Sequence, residues 1–247
     1  MKVHIIGHPR SGSSYCQSIF SESVNMDELN LIEPFRYPVR RQLFARHPVN
    51  AVTVESANKE LARIADAPHV TVKNHISHLK ELYKINLLDK LLSIKFDKTI
   101  GIMRKNIFET SLSLAIAKQK RFWGTHMPHP NQWVANKYKV ASIIVSDKMF
   151  IHCLDTIAND IEELLENKYN IKYDHIIFYE DLTFDLNNDY VNIVGEPFKS
   201  KIEPRYVAVW NKKEIVKNYD HLKEVFSDWK KNNIIIFHKN WKGELPQ

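Results

Sequence analysis

Residues 7–14 combine a tight turn with groups that can bind an anion. They read Gly-His-Pro-Arg-Ser-Gly-Ser-Ser and stand between a short apolar run and a segment with helical spacing. Gly7 and Gly12 have the spacing of the two glycines of a Walker A loop, in which successive backbone N–H groups face a phosphate. The start of the following helix adds its dipole to that cradle. This pattern predicts a phosphate-binding loop between a strand and a helix.

The loop departs from a Walker A loop at the position of the lysine. Ser13 stands there, and the positive charge comes from Arg10 instead. An ordinary Mg²⁺-dependent nucleotidase uses that lysine to contact the terminal phosphates of its substrate. We therefore expect an anion cradle without this part of the nucleotidase machinery, to which Ser13 and Ser14 add hydroxyl donors. The competing interpretation is a polar turn that only caps the helix.

The loop resembles the 5′-phosphosulfate-binding loop of sulfotransferases that use 3′-phosphoadenosine 5′-phosphosulfate (PAPS). In the bacterial and carbohydrate branches of that family the loop commonly reads Pro-Arg-Ser-Gly-Ser followed by Ser or Thr. The resemblance implies PAPS as co-substrate, 3′,5′-ADP as product and no metal ion. It also implies that the following residues bind the nucleotide: Pro9, Arg10, Ser11, Gly12, Ser13 and Ser14.

A second signature of this family is an arginine at a strand end, followed eight or nine positions later by a serine in the next helix. Both residues bind the 3′-phosphate of the nucleotide in the family. Here Arg104 precedes Ser113 by nine positions, and Lys105 precedes it by eight. A guanidinium makes a forked contact with phosphate that an ammonium cannot match, so we favour Arg104. The alternative is a solvated pair of cations and a helix serine without function.

Sulfuryl transfer needs a base for the proton of the acceptor, and cations for the transferring group and the leaving bisphosphate. Arg10 and Lys73 suit the cationic roles. Residues 70–76 resemble the strand-end Lys-Thr-His-Leu-Pro stretch of cytosolic sulfotransferases, with Asn and Ser in place of Thr and Pro, which implies His75 as the base. Glu33 resembles the glutamate base of the carbohydrate and tyrosyl-protein branches. Both candidates stay open, and one can orient the other.

Two further resemblances concern the rest of the nucleotide site. Residues 178–182 read Phe-Tyr-Glu-Asp-Leu, which is similar to a Tyr-Glu-Asp stretch of the family and implies Tyr179 near the adenine. A C-terminal basic loop contacts the 3′-phosphate in the family, and Lys212 is our candidate for it, with Arg205 and Lys213 as alternatives. A tyrosine at the edge of the core is the competing interpretation of Tyr179.

The elements that must position these residues alternate between strands and helices. Helical spacing predicts single helices over residues 80–92 and 213–226, among others. Apolar runs predict strands at residues 3–6, 31–32, 70–73, 98–103, 175–179 and 234–237. The alternation predicts one α/β domain over residues 1–247, with three layers in which helices flank a central parallel sheet, like the P-loop nucleotide hydrolases. Ligands bind beyond the carboxyl ends of such strands, where nearly all the candidate residues fall.

Composition excludes several classes of protein. Of the 247 residues, 44% are hydrophobic and 26% are charged, as in a globular domain rather than a disordered or collagenous chain. Two cysteines exclude a disulfide scaffold and a cysteine-ligated zinc site, and they suit a reducing compartment, so we expect a cytoplasmic protein without a membrane span. His126 with His129, or His75 with His78, suggest a metal site, but no carboxylate or cysteine completes either set, so we expect none.

Charge and motifs leave three functions open. With 35 basic and 29 acidic residues the net charge is +6, which favours anionic partners without choosing among them. A PAPS-dependent sulfotransferase that acts on a hydroxyl or amine fits the motifs best, and its partners are a nucleotide and an unidentified acceptor rather than nucleic acid. The alternatives are a P-loop kinase-like phosphotransferase, which lacks its loop lysine here, and a non-catalytic binder of nucleotides or polyanions.

Overall fold

Apolar and β-branched runs form a sheet of five parallel strands in the computed structural model. The structure describes residues 1–23, 29–35, 53–120, 142–182, 186–195 and 212–233. The strands in these ranges are β1 (Lys2–Gly7), β2 (Leu29–Ile32), β3 (Val70–His75), β4 (Lys98–Met103) and β5 (His175–Phe178). Their order is β2-β3-β1-β4-β5, and every neighbouring pair is parallel. The α/β class is confirmed, while the strand predicted at residues 234–237 lies outside the described ranges.

Helices connect the strands, and two of the predicted ones are divided. The helices are α1 (Ser13–Ser23), α2 (Val54–Asp66), α3 (Ile76–Lys84), α4 (Leu88–Leu92), α5 (Ile107–Lys120), α6 (Asp147–Leu165), α7 (Leu186–Val194), α8 (Lys212–Ile215) and α9 (Tyr219–Asn232). The single helix predicted over residues 80–92 is wrong, because Asn86 takes a left-handed φ of 56° between α3 and α4. The helix predicted over residues 213–226 is also two helices, separated where Val216 bridges to Ile143.

The sheet buries apolar side chains on both faces, which explains why its strands read as apolar runs. Along β1, Val3 and Ile5 belong to one core cluster, in which they pack with buried side chains of α1 and α7. Ile6 points to the other face and belongs to the larger cluster, which holds α2 to α6 and α9. This alternation is the two-residue period of a strand. Helices therefore flank the sheet, consistent with the expected three layers.

The strand order reverses at β1, and this reversal positions the candidate residues. From β1 the chain runs to β2 and β3 on one side of the sheet and then crosses to β4 and β5 on the other. Ligands in open parallel sheets bind outside the carboxyl ends of the strands at such a point. Gly7 ends β1 in register with His75 of β3 and Ile102 of β4. The segments that follow these three strands therefore meet at one edge.

Two expectations concern the chain as a whole. Across the described ranges, no helix combines the length and the apolar character needed to cross a bilayer. The organisation of residues 1–247 as one domain stays a prediction, because it includes segments outside those ranges.

Candidate functional site

The loop after β1 folds into a turn that leads directly into α1. Arg10 has φ 67° and Gly12 has φ 91°, both in the left-handed region. The N–H of Ser11 donates to the carbonyl of His8 at 3.1 Å, and the N–H of Cys16 donates to the carbonyl of Gly12 at 3.0 Å. The first amides of a helix have no acceptor within the helix. These amides and the helix dipole are what the loop offers to an anion.

Tyr179 packs against this loop at Gly12. A Cβ atom on Gly12 would lie 2.0 Å from Cδ2 of the tyrosine ring, so only glycine fits there. The guanidinium of Arg104 lies over the same ring, with its Cζ 4.0 Å from the ring centroid, which is cation–π distance. Tyr179 therefore contacts both predicted anion-binding segments, and its contact with adenine stays a prediction.

Arg10 and Arg104 join those two segments into one cationic surface. Nε of Arg10 donates to Oγ of Ser113 at 3.0 Å, so the serine contacts the loop arginine rather than Arg104, the partner that the resemblance implies. Burial and the positive charge of Arg104 both lower the pKa of Arg10. Nε of Arg104 is buried without a hydrogen-bond partner, and no carboxylate of the described ranges forms a salt bridge with either guanidinium. Two neighbouring guanidiniums without a salt bridge form a surface suited to a dianion, and Glu109 is near enough for the charge of Arg104 to lower its pKa.

The loop serines differ in what they face. Oγ of Ser11 is buried without a hydrogen-bond partner, and a Cβ atom on Gly7 would lie 2.6 Å from it. The N–H of Ser11 also closes the turn by its hydrogen bond to His8. Ser11 therefore stabilises the loop, and its hydroxyl is directed to the protein interior. Oγ of Ser14 accepts a hydrogen bond from Nζ of Lys73 at 3.0 Å. Ser13 is buried at the first position of α1.

Glu33, Lys73 and His75 form a cluster where β2 and β3 end. The N–H of Glu33 donates to the carbonyl of Lys73 at 2.8 Å, which continues the pairing of the two strands. Nζ of Lys73 lies 3.0 Å from Oε1 of Glu33, and Nε2 of His75 lies 3.5 Å from the same oxygen. The side chains of Lys73 and Glu33 are 2% and 5% exposed, against 15% for His75. Both predicted bases are thus in contact, the histidine is the more accessible, and Lys73 links them to the loop.

The same cluster corrects the expectation that no carboxylate accompanies His75 and His78. Glu33 reaches them through the pairing of β2 with β3, and the three residues place possible ligand atoms within 4.8 Å of one another, a set that zinc can use. Those atoms already have partners. Oε1 of Glu33 binds the ammonium of Lys73, and Nδ1 of His78 accepts the N–H of His75 at 3.0 Å. A metal ion would have to displace both contacts beside a buried ammonium, so a metal-independent site stays our prediction.

Lys212 forms an ion pair in this structure. Its Nζ lies 2.6 Å from Oε2 of Glu109, and the hydroxyl of Tyr219 donates to Oε1 of the same carboxylate at 2.6 Å. Burial alone would raise the pKa of Glu109, but the hydrogen bonds from Lys212 and Tyr219 lower it. The predicted contact of Lys212 with phosphate would therefore be made by an ammonium that already pairs with Glu109. Its alternative Arg205 lies outside the described ranges.

His8 and Glu180 contribute to the site, and neither was expected to from the sequence. His8 is fully buried: its Nδ1 lies 2.9 Å from the carbonyl of Pro9, and its Nε2 accepts the N–H of Arg104 at 3.2 Å. Oε2 and Oε1 of Glu180 accept the N–H groups of Lys105 and Asn106 at 2.9 and 3.1 Å, just before α5 begins. Both residues stand inside quoted motifs, but nothing in the sequence indicates that their side chains bind the backbone around Arg104.

Comparison with protein-family models gives no match, and no curated protein matches the chain. Function is therefore inferred from the arrangement of the side chains and from the short motifs.

Proposed function

We propose that the protein is a PAPS-dependent sulfotransferase with a P-loop-like fold, which transfers a sulfuryl group to a hydroxyl or amine. One observation carries the proposal: Arg10 and Arg104, from segments far apart in the chain, lie together with Ser113 at the switch point of the sheet. Neither guanidinium has a carboxylate partner within the described ranges. A nucleotide with phosphoryl groups at two positions supplies the negative charge that this surface lacks.

The residues present fit the donor nucleotide. The buried Nε of Arg104 has no hydrogen-bond partner, and the loop ends at α1, whose first amides have no acceptor within the helix. The loop and the start of α1 would hold the 5′-phosphosulfate, and Arg104 with Ser113 would hold the 3′-phosphate. When bound, the donor supplies an activated sulfuryl group.

Lys73 stabilises negative charge at the edge of this cradle. Its ammonium is 2% exposed and is held between Oγ of Ser14 and Oε1 of Glu33, both at 3.0 Å. A fixed, desolvated cation stabilises charge that develops on a leaving bisphosphate more strongly than a solvated one does. The buried position also keeps the ammonium from turning to solvent.

His75 is the base in this proposal, and Glu33 orients it. Glu33 already neutralises a buried ammonium, and its protonation would remove the counter-ion of Lys73, an expensive change in a buried site. The imidazole of His75 is more exposed and lies 3.5 Å from Oε1 of Glu33. The proton of the acceptor moves to the imidazole, and the carboxylate stabilises the imidazolium that forms, as in a catalytic triad.

Replacement of His75 tests this role. We expect His75→Ala to slow turnover by about 10²–10⁴-fold, because general-base catalysis is lost, with little change in affinity for 3′,5′-ADP. His152→Ala, which removes an exposed histidine of α6, is the control. Turnover is measured with an acceptor found by screening. Normal turnover of His75→Ala would assign the proton to another group.

Nucleotide preference separates the proposal from its two alternatives. Melting temperatures are measured with 3′,5′-ADP in EDTA, with Mg²⁺-ATP and with heparin. We expect 3′,5′-ADP to stabilise the protein most, by about 2.7 kcal/mol at a hundredfold excess over its Kd. Equal or greater stabilisation by Mg²⁺-ATP would favour a phosphotransferase, and stabilisation by heparin alone would favour a polyanion binder. Either result contradicts the sulfotransferase proposal.

A further inference from the structure

The hydrogen bonds of His8 define its tautomer. A carbonyl only accepts and an amide N–H only donates, so the ring carries its proton on Nδ1, toward Pro9, and presents a lone pair at Nε2, toward Arg104. Burial lowers the pKa of His8 to about 4, and the charge of Arg104 acts in the same direction. The imidazole therefore stays neutral near pH 7 and keeps its acceptor for the amide of Arg104.

The amide of Arg104 needs this acceptor because the sheet ends just before it. β4 ends at Met103, and β1 ends at Gly7, which is in register with Ile102. Beyond these residues the ladder between the strands supplies no acceptor for the next N–H. His8 follows Gly7 directly. Its Nε2 accepts the N–H of Arg104, so a side-chain atom takes the place of the backbone carbonyl of a strand.

The same ring is anchored to the loop that carries Arg10. Its Nδ1–H donates to the carbonyl of Pro9, the residue before Arg10, and Pro9 has a fixed φ angle. One rigid imidazole thus joins the backbone beside Arg10 to the backbone of Arg104. We propose that His8 is a positioning residue, which sets the separation of the two guanidiniums and so the fit of the 3′-phosphate. This inference rests on the proposed function.

The experiment compares two nucleotides and two substitutions. His8→Leu removes both hydrogen bonds at similar volume, and His8→Gln keeps an acceptor near the position of Nε2. Calorimetry gives the affinity for 3′,5′-ADP and for 5′-AMP, which lacks the 3′-phosphate. We expect His8→Leu to weaken 3′,5′-ADP binding by about five- to tenfold, as for the lost hydrogen bond to the amide of Arg104, and to leave 5′-AMP within about twofold. His8→Gln restores most of the loss.

A double-mutant cycle separates positioning from a general loss of structure. In Arg104→Ala the guanidinium to be positioned is absent, so adding His8→Leu changes 3′,5′-ADP affinity by about twofold or less. Should His8→Leu not fold, His8→Asn, which keeps a donor near Nδ1 but lacks the acceptor at Nε2, takes its place in the cycle. Melting temperatures and circular dichroism establish that each variant is folded.

Three results would overturn the inference: unchanged 3′,5′-ADP affinity in His8→Leu, an equal loss for both nucleotides, or the same loss with and without Arg104. A wild-type protein that does not bind 3′,5′-ADP refutes the proposed function itself. Wild-type binding with an unaffected His8→Leu variant refutes only the role of His8.

Discussion

At the scale of single residues, Gly12 is a position where the loop tolerates no side chain. Its φ of 91° strains any other residue, and a Cβ there would overlap the ring of Tyr179 at 2.0 Å. Gly195 is a matched control, because its φ is 81° but no atom lies within 4 Å of its Cβ position. We expect Gly195→Ala to lower the free energy of unfolding by about 1–2 kcal/mol through backbone strain alone.

Gly12→Ala adds the overlap with Tyr179 to that strain. We expect its free energy of unfolding to fall below that of Gly195→Ala by at least about 1 kcal/mol, and its affinity for 3′,5′-ADP to be lost. Denaturant unfolding and calorimetry measure the two effects. Equal losses of stability in the two variants, with binding intact, would show that the loop can move away from the tyrosine.

Glu33 and Lys73 form the other test at this scale. Removing one partner of a buried ion pair costs about 3–5 kcal/mol, because the remaining charge is left in a medium of low polarity. We expect Glu33→Gln to show such a loss in denaturant unfolding, and Lys73→Met in the same chain to recover much of it. A double variant as unstable as Glu33→Gln would mean that the ammonium is not the source of the loss.

The sequence predicted many of these residues and left open a contact between Glu33 and His75, but it did not predict that Ser113 contacts Arg10. Arg10, Lys73 and Arg104 could be found because strand ends in a parallel sheet collect functional side chains. The contact of Ser113 with Arg10, and that of Glu33 with His75, depend on strand order and register. Local sequence carries little of that information, because the pairing of β2 with β3 brings together segments that lie far apart in the chain.

At the scale of elements, Glu180 holds the start of α5 and therefore the segment that follows Arg104. It accepts the N–H groups of Lys105 and Asn106. We expect Glu180→Ala to lower the free energy of unfolding by about 0.5–1.5 kcal/mol, as for lost hydrogen bonds, and to weaken 3′,5′-ADP binding. Denaturant unfolding and calorimetry give both values.

Asp181→Ala is the control for that change. Asp181 is exposed and pairs with the ammonium of Lys105, and exposed pairs contribute about 0–1 kcal/mol. We expect it to bind 3′,5′-ADP like the wild type. If Asp181→Ala and Glu180→Ala behave alike, the hydrogen bonds of Glu180 with the backbone do not position the arginine.

Element boundaries also show where local patterns fail. The apolar period continues across residues 80–92, and it predicted one helix, but the left-handed conformation of Asn86 divides the segment. Asparagine adopts this conformation more readily than most residues, so the signal was present but weaker than the apolar period. The other end of the predicted helix also differs, because α3 begins at Ile76, which puts His75 and His78 at the start of a helix.

At the scale of the whole molecule, three buried groups contribute in opposite directions to the response of stability to acid. Burial lowers the pKa of His4 to about 3 and that of His8 to about 4, and it raises the pKa of Asp160 to about 6. As the pH falls from about 6.5 to 4, both histidines are protonated in the unfolded chain but stay neutral in the folded chain. This difference lowers the free energy of unfolding. Asp160 has the opposite effect on stability, because its carboxylate is protonated at a higher pH in the folded chain than in the unfolded chain.

We therefore expect stability to fall on acidification between about pH 6.5 and pH 4, since two groups act against one. We expect Asp160→Asn to make the fall steeper, because the opposing proton is lost. Glu166→Gln, which removes an exposed carboxylate just after α6, is the control. Denaturant unfolding across this range measures the slope. A slope that Asp160→Asn leaves unchanged would contradict the assignment.

The parallel α/β sheet followed from the alternation of patterns, whereas its strand order did not. Nothing in the apolar runs states that β3 lies between β2 and β1. The site depends on that order, because it places the ends of β1, β3 and β4 side by side and the two arginines next to one another.

The central claim is that this cradle binds a nucleotide with a 3′-phosphate without a metal ion. Calorimetric titration with 3′,5′-ADP in EDTA, for the wild type and Arg104→Ala, tests it most directly, with Lys172→Ala as an exposed control. We expect one nucleotide per chain, a loss of about 10–150-fold in Arg104→Ala, as for a charged hydrogen-bonded contact, and wild-type affinity in the control. A wild-type chain that binds no 3′,5′-ADP, or binds it as tightly without the guanidinium of Arg104, would contradict the account.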